Sequence, residues 1–269
     1  MTNSTIHPAW IGIGRAIGGA LIFSLPMMMT MEMWEIGFSI EPFHLMVLIL
    51  FSLPLWVGVS SIVGFEETKT IGDDVLDVLV AYAIGFVTSA IVLVSLGIIT
   101  RATGPGEIFS MLLLQSVPAS LGALLARSLI GSSSELKFDP GYHHELIILI
   151  TGSLFLAFNL TPTEEIVVIS YKMHYWHMCL LIVFTLILMQ MFTISNPDVS
   201  PDSLKYWRTH WDLFVRFTST GYVLAFAVSF FMLWVLGRAD GESVDNIINT
   251  ALVLSFPAGI GAAAARLIV

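Results

Sequence analysis

Eight stretches of this sequence are apolar over about the length that a helix needs to cross a bilayer. A spanning helix takes about 20 mainly apolar residues, because about 30 Å of hydrocarbon is crossed at 1.5 Å per residue. Unpaired backbone groups are costly in lipid, and the sequence lacks the alternating runs of a membrane barrel, so each stretch is predicted to be a helix. The stretches run Ile11 to Met31, Leu45 to Gly64, Val78 to Thr100, Ile108 to Ala126, Leu146 to Thr163, Met178 to Ile194, Phe217 to Gly237 and Ile247 to Ala265.

The composition agrees with an all-α, polytopic transmembrane bundle of eight spans. Of 269 residues, 56% are hydrophobic and only 12% are charged, whereas water-soluble domains carry about 25% charged residues. The predicted partner is therefore the lipid bilayer. A net charge of -9 argues against nucleic acid as a partner, since phosphates attract a basic surface. The fifth and sixth stretches are the shortest, which leaves a seven-span count open.

Lysine and arginine counts predict how the chain enters the membrane, because short cytoplasmic loops carry the positive excess. One side collects six of these residues: Lys69, Arg127, Lys137, Lys205, Arg208 and Arg266. The other side has Arg101, Lys172 and Arg238, together with nine of the 20 acidic residues. Both termini are therefore predicted to be cytoplasmic.

The fourth span repeats in the eighth, 139 residues later. Both contain the pattern S-x-P-A-x-x-G-A-x-x-A-R, from Ser116 to Arg127 and from Ser255 to Arg266. Proline and arginine do not add to the hydrophobicity of a span, so a duplication explains the match better than shared hydrophobicity. The sequence thus predicts two tandem four-helix repeats, residues 1–131 and 132–269. Because each repeat has an even number of spans, the repeats are predicted to be parallel.

The other spans align less closely. The first two meet the fifth and sixth at an offset of 133, which pairs four sets of residues: Gly19 with Gly152, Thr30 with Thr163, Glu32 with Glu165, and His44 with His177. The third span aligns with the seventh at an offset of 135, which pairs Asp77 with Asp212. The alignment then drifts by several residues before Gly97 aligns with Gly237.

The carboxylates Glu32 and Glu165 are the first candidates for an ion or proton site. Each lies in a T-x-E tripeptide with Thr30 or Thr163, at the end of an apolar span predicted to face the outside. Ionisable groups at membrane depth usually face a cavity or a partner, so the two carboxylates could form a pseudosymmetric cation-binding or proton-accepting pair. Equally, they could end their helices at the water interface.

The histidines His44 and His177 begin the second and sixth spans on the same side. Imidazole can bind a metal or carry a proton near neutral pH. Two histidines with Glu32 and Glu165 could therefore hold a divalent metal such as zinc, although their spacing matches no ligand motif. An interfacial histidine is the more common reading, so no cofactor is predicted, with a divalent metal as the open alternative.

Further candidates concern ion pairing and a path through the membrane. Asp77, Asp212, Arg127 and Arg266 could form structural ion pairs, or the arginines could bind lipid phosphate. Arg15 lies inside the first span and could snorkel to the surface or gate an ion path. Pro118 and Pro257 remove a backbone donor within their spans and could leave a carbonyl along a path, with hydroxyls of Ser116 and Ser255 nearby.

The segment from Arg15 to Gly37, with T-M-E-M-W at Thr30 to Trp34, resembles the opening of a family of uncharacterised bacterial integral membrane proteins. The resemblance extends over nearly the whole chain. It implies a bacterial inner-membrane location and supplies no activity and no functional residues.

The leading functional hypothesis is a transporter or channel for a small cation, with or without proton coupling. A membrane-embedded sensor or regulatory protein is one alternative, and a lipid-modifying enzyme with Glu and His as acid and base is another. We therefore predict that the protein is not an enzyme, and a homo-oligomer stays open.

Overall fold

The computed structural model describes residues 8–63, 70–130, 142–195, 211 and 213–268. Within these ranges eight helices are long and apolar enough to cross a membrane, which confirms the predicted all-α bundle and the count of eight. The chain divides into two compact units, Met1–Asp139 and Pro140–Val269. The boundary predicted at residues 131 and 132 lies outside the described residues.

The first unit contains five helices: α1 (Pro8–Met28), α2 (Met31–Ser39), α3 (Pro42–Val63), α4 (Ile71–Ser95) and α5 (Pro105–Ile130). Helix α5 packs against all four others, and α4 also packs against α1 and α3. The hydrophobic core of this unit is therefore arranged around α5.

The second unit repeats this order with α6 (Tyr142–Leu160), α7 (Glu165–Lys172), α8 (Tyr175–Ser195), α9 (Thr220–Val235) and α10 (Val244–Ile268). A π-helical turn, Phe214–Ser219, precedes α9. Helix α10 packs against α6, α7, α8 and α9, and α9 also packs against α6. The central helix of each unit thus makes the same set of contacts, as a duplicated chain requires.

Matched glycines let the first and last helices of each unit approach closely. A Cβ added at Gly19 would lie 2.2 Å from the carbonyl oxygen of Gly122, and one added at Gly152 would lie 2.2 Å from that of Gly261. Glycine permits this backbone-to-backbone contact because it has no side chain. The repeated small residues therefore serve helix packing in both units.

The third helix of the repeat ends in the same way in both units. Gly97 and Gly237 have φ angles of +73° and +71°. The next residue donates its N–H to the carbonyl five positions back, from Ile98 to Leu93 and from Arg238 to Leu233. This is a Schellman ending, which favours glycine at the left-handed position. Gly97 and Gly237 are 140 residues apart, so the two repeats align at an offset of 140 along this helix. Phe217, and not Asp212, therefore corresponds to Asp77.

Several predicted span limits are wrong at their ends. Helix α4 begins at Ile71 rather than Val78, because Thr70 and Asp73 form a capping box, and it ends at Ser95 rather than Thr100 because of the glycine ending. Helices α1 and α6 end at Met28 and Leu160, three residues before the predicted limits. Their early ends leave a break before the next helix of each unit.

Candidate functional site

A break interrupts each unit at corresponding positions, between α1 and α2 and between α6 and α7. Thr30, the N-cap of α2, has extended backbone angles of φ -98° and ψ 133°. Its hydroxyl donates to the carbonyl of Met27 at 2.9 Å, and the hydroxyl of Thr163 donates to that of Leu160 at 2.8 Å. Both threonines therefore satisfy carbonyls that the helix ends leave without an intrahelical partner.

The two candidate carboxylates follow directly after these breaks. Glu32 lies in the first turn of α2 and is half-buried, whereas Glu165 is the first residue of α7 and is exposed. A negative charge is favourable at a helix N-terminus because the backbone N–H groups there are unpaired. Each carboxylate belongs to a different unit, and their convergence on one site stays a prediction.

Different side chains reach the carbonyls at the two breaks. The indole N–H of Trp34 donates to the carbonyl oxygen of Met28 at 2.6 Å. In the second unit the guanidinium of Arg238 donates to the carbonyl oxygen of Pro162. The position that corresponds to Arg238 in the first unit is Ile98. The second break therefore already contains a positive charge, and the first does not have one at that position.

A polar cluster joins α7 to the start of α10 near the second break. The Tyr171 hydroxyl donates to the Glu242 carboxylate at 2.6 Å, and the Asn246 amide donates to both of them. The hydrogen bond from Tyr171, and then that from Asn246, lowers the pKa of Glu242. The hydrogen bond to Glu242 raises the pKa of Tyr171 above its ordinary value.

The same helix pair also has a buried polar contact, between the hydroxyls of Ser170 and Thr250 at 2.9 Å. The corresponding contact in the first unit joins Gly37 to Met111, where an added Cβ would lie 3.1 Å from the methionine Cγ. This interface is thus polar in the second unit and apolar in the first. Sequence reasoning missed it, since Tyr171 and Asn246 have no matching residue in the other repeat.

The histidines lie where the sequence predicts them, near the start of α3 and α8. His177 accepts a hydrogen bond at Nδ1 from the backbone N–H of His174 and stacks on Trp176. This contact caps the first turn of α8. Within each unit, the described residues contain no group of three His, Cys, Asp or Glu side chains that could hold a metal ion. The metal site that combines both histidines with Glu32 and Glu165 stays a prediction.

Arg266 forms an ion pair with a partner that the sequence did not suggest. Its Nε donates to the Glu145 carboxylate at 2.8 Å, both side chains are 10% exposed, and its guanidinium lies 3.9 Å from the centroid of the Phe217 ring. The predicted partner Asp212 lies outside the described residues, as does the side chain of Arg127. Asp77 is half-buried and accepts a hydrogen bond from Ser60 at 3.5 Å.

The proposed path residues are largely inside the units. Ser116 and Ser255 are buried and donate to the carbonyls of Leu113 and Leu252, each at 2.7 Å. The helices continue through Pro118 and Pro257. Arg15 is half-buried in α1. These positions are consistent with packing, and their role along a path stays a prediction.

Uncharged polar side chains occupy the interior of the first unit. Ser52 and Tyr82 form a 2.5 Å hydrogen bond between α3 and α4, and the indole of Trp56 donates to Ser120 at 2.8 Å. At the positions of Ser120 and Trp56 the second unit has Gly259 and Met189, which are in contact. The hydrogen bond between Trp56 and Ser120 is therefore not a requirement of the shared fold, whereas Tyr222, at the position of Tyr82, also forms a hydrogen bond, accepted from Ser255 at 3.2 Å.

One family model covers nearly the whole chain. It carries the description "Putative integral membrane protein (DUF2391)" and matches residues 12–269. The chain belongs to this family. Membership agrees with the eight apolar helices and confirms the resemblance seen at the T-M-E-M-W motif. No curated protein and no solved structure matches the chain.

Proposed function

We propose that this integral membrane protein transports a small cation across the bilayer, and that the break of the first unit is a binding position on its route. The observation that carries the proposal is the pair of helix breaks at corresponding positions of the two repeats. In transporters built from repeats, interrupted segments in matching positions indicate a substrate site; here each break lies between a complete span, α1 or α6, and a short helix. We further propose a bacterial inner membrane, from the family resemblance, and both termini in the cytoplasm, from the lysine and arginine counts.

The choice of a cation rests on the charges near the breaks. Each break is followed by a carboxylate, and carboxylates at membrane depth usually face a cavity or a partner and mark ion pathways. Glu32 is the stronger candidate, because it is half-buried and Trp34, a neutral donor, occupies the neighbouring carbonyl. At the second break the guanidinium of Arg238 would repel a free cation.

Uptake of radioactive sodium, rubidium and calcium into proteoliposomes, with a pH dye for protons, tests this proposal. We expect Glu32→Gln to lower the flux of the transported cation by about tenfold or more, equivalent to about 1.4 kcal/mol. Glu165→Gln should have a smaller effect. Glu35→Gln is the matched control, because Glu35 lies on the same helix α2 and is exposed.

Two outcomes would contradict the proposal. If the wild-type protein moves none of these ions faster than protein-free vesicles, the transport function is wrong. If Glu32→Gln transports as fast as wild type while the protein is active, the first break is not the binding position.

A further inference from the structure

Ser89 of α4 and Gln115 of α5 lie opposite each other inside the first unit. A Cβ added at Gly85 would lie 3.1 Å from the Cβ of Ala119, and Leu93 packs in one cluster with Met111. The two helices are therefore antiparallel along this contact. Ser89 is four residues from both Gly85 and Leu93, and Gln115 is four residues from both Ala119 and Met111. The register places the two polar side chains at the same level.

Both side chains are fully buried without a hydrogen-bond partner among the described residues. Ser89 and Gln115 are each 0% exposed. The Ser89 hydroxyl and both the oxygen and the nitrogen of the Gln115 amide lack a partner there. Burying a polar group without a hydrogen bond is unfavourable, and lipid outside the unit offers none. Two such groups at one level indicate a position that is built to bind something polar.

Pro118 leaves a backbone acceptor next to Gln115 without its usual donor. Proline has no N–H, so it cannot donate to the carbonyl four residues earlier, which is that of Leu114. This carbonyl immediately precedes Gln115 in the chain, within the buried part of α5. The level of Ser89 thus contains a hydroxyl, the amide oxygen of Gln115 and a backbone carbonyl without its i+4 donor, all of them uncharged oxygen atoms.

The second unit shows that the fold does not need this arrangement. The repeat alignment puts Leu254 at the position of Gln115, and Leu254 is fully buried in the same central helix. Ser229 corresponds to Ser89, and its hydroxyl donates to the carbonyl of Ala225 at 2.7 Å. The same packing is therefore achieved with a leucine and with a satisfied serine.

We propose that Ser89, Gln115 and the Leu114 carbonyl form a site for a dehydrated monovalent cation such as sodium or potassium. Neutral carbonyl and hydroxyl oxygens can replace the hydration shell of such an ion, whereas protein sites for divalent cations rely on carboxylates. Neither side chain titrates, so this site does not carry a proton. The proposal rests on the proposed cation transport, to which it adds the ion class and a second position on the route.

The test is the melting temperature of the full-length protein in detergent, in sodium, potassium or choline chloride at equal ionic strength. All proteins in this assay also carry Glu32→Gln, so that cation binding at the break of the first unit does not contribute to the melting temperature. We expect one alkali cation to raise the melting temperature by about 5 °C or more over choline when near-saturating. Adding Gln115→Leu should abolish that rise while increasing the melting temperature in choline, because an apolar side chain replaces an unsatisfied amide.

Ser89→Ala should weaken the cation-dependent rise, and Ser229→Ala is the matched control that should leave it unchanged. The site is overturned if alkali cations raise the melting temperature equally with and without Gln115→Leu. It is also overturned if the melting temperature is the same in alkali cations and in choline. The proposed transport is judged separately by flux. If Gln115→Leu leaves the wild-type flux intact, the site is wrong and transport stands. If no flux occurs but the Gln115-dependent rise persists, the site stands and transport is wrong.

Discussion

The contact between Gly152 and Gly261 allows a quantitative test of the packing in the second unit. An alanine Cβ at position 152 would lie 2.2 Å from the Gly261 carbonyl oxygen and 2.6 Å from the Cβ of Ala265. Real Cβ contacts are essentially never below 3.0 Å, so α6 and α10 must separate by at least about 0.8 Å. The oxygen belongs to the backbone and cannot turn away as a side chain would.

The expected cost follows from these distances. Overpacking costs about 1–3 kcal/mol, and the backbone contact places Gly152→Ala at the upper end. The better helix propensity of alanine returns about 1 kcal/mol. The net loss of about 2 kcal/mol corresponds to a fall of about 4–8 °C in melting temperature. Gly19→Ala should behave alike, because its contact with Gly122 has the same 2.2 Å distance.

The assay is thermal unfolding in detergent, followed by the intrinsic fluorescence of the seven tryptophans or by light scattering. Gly14→Ala is the matched control, since an added Cβ there meets nothing within 4 Å, and it should be neutral or stabilising by about 0.5–1 kcal/mol. The reasoning is refuted if Gly152→Ala melts at the same temperature as the wild type, or if Gly14→Ala lowers the melting temperature as much as Gly152→Ala does.

The remaining predictions concern the second unit. Glu145→Gln should destabilise the protein by about 3 kcal/mol in the same melting assay, because it leaves the Arg266 charge buried without its carboxylate; a change below about 0.5 kcal/mol would contradict this. Gly237→Ala should cost about 1–2 kcal/mol, since alanine is strained at a φ of +71°, and an unchanged melting temperature would show that the glycine ending is unimportant. The hydrogen bond to Tyr171 lowers the pKa of Glu242, so its stabilising contribution is present above the unfolded pKa and is lost as pH falls through the folded pKa. Tyr171→Phe should therefore shift the acid limb of a pH-stability curve to higher pH, and an unshifted limb would argue against the bond. The hydrogen bond to Glu242 raises the pKa of Tyr171, so ultraviolet titration should find an easier ionisation of Tyr171 in Glu242→Gln than in the wild type, and equal ionisation in both would contradict the bond.

The eight spans and the repeat could be predicted from the sequence because both depend on signals that are local or periodic. Apolar length identifies a span, and the pattern from Ser116 to Arg127 recurs in the helix that holds the same central position of the second unit. The close contact of Gly19 with Gly122 then recurs at Gly152 and Gly261. The helix breaks were missed because Met31, Met33 and Ile36 continue the apolar character past the end of α1.

The site could be predicted only in part. Thr30 and Glu32 were identified because the repeat preserves them, but their place at a helix break depends on the Thr30 hydrogen bond, which the sequence does not reveal. Arg266 was expected to form an ion pair, whereas its partner Glu145 is 121 residues away and has no counterpart in the first repeat. Gln115 could not be predicted from the repeat, because the second unit has Leu254 at the corresponding position. An internal alignment marks only the residues that both repeats share.

The most direct test of cation transport is the transient current after a sodium or potassium concentration jump on proteoliposomes adsorbed to a solid-supported membrane. We predict a current with the wild-type protein, a strongly reduced one with Glu32→Gln, and an unchanged one with Glu35→Gln. A wild-type trace identical to that of protein-free vesicles for both ions would contradict the account.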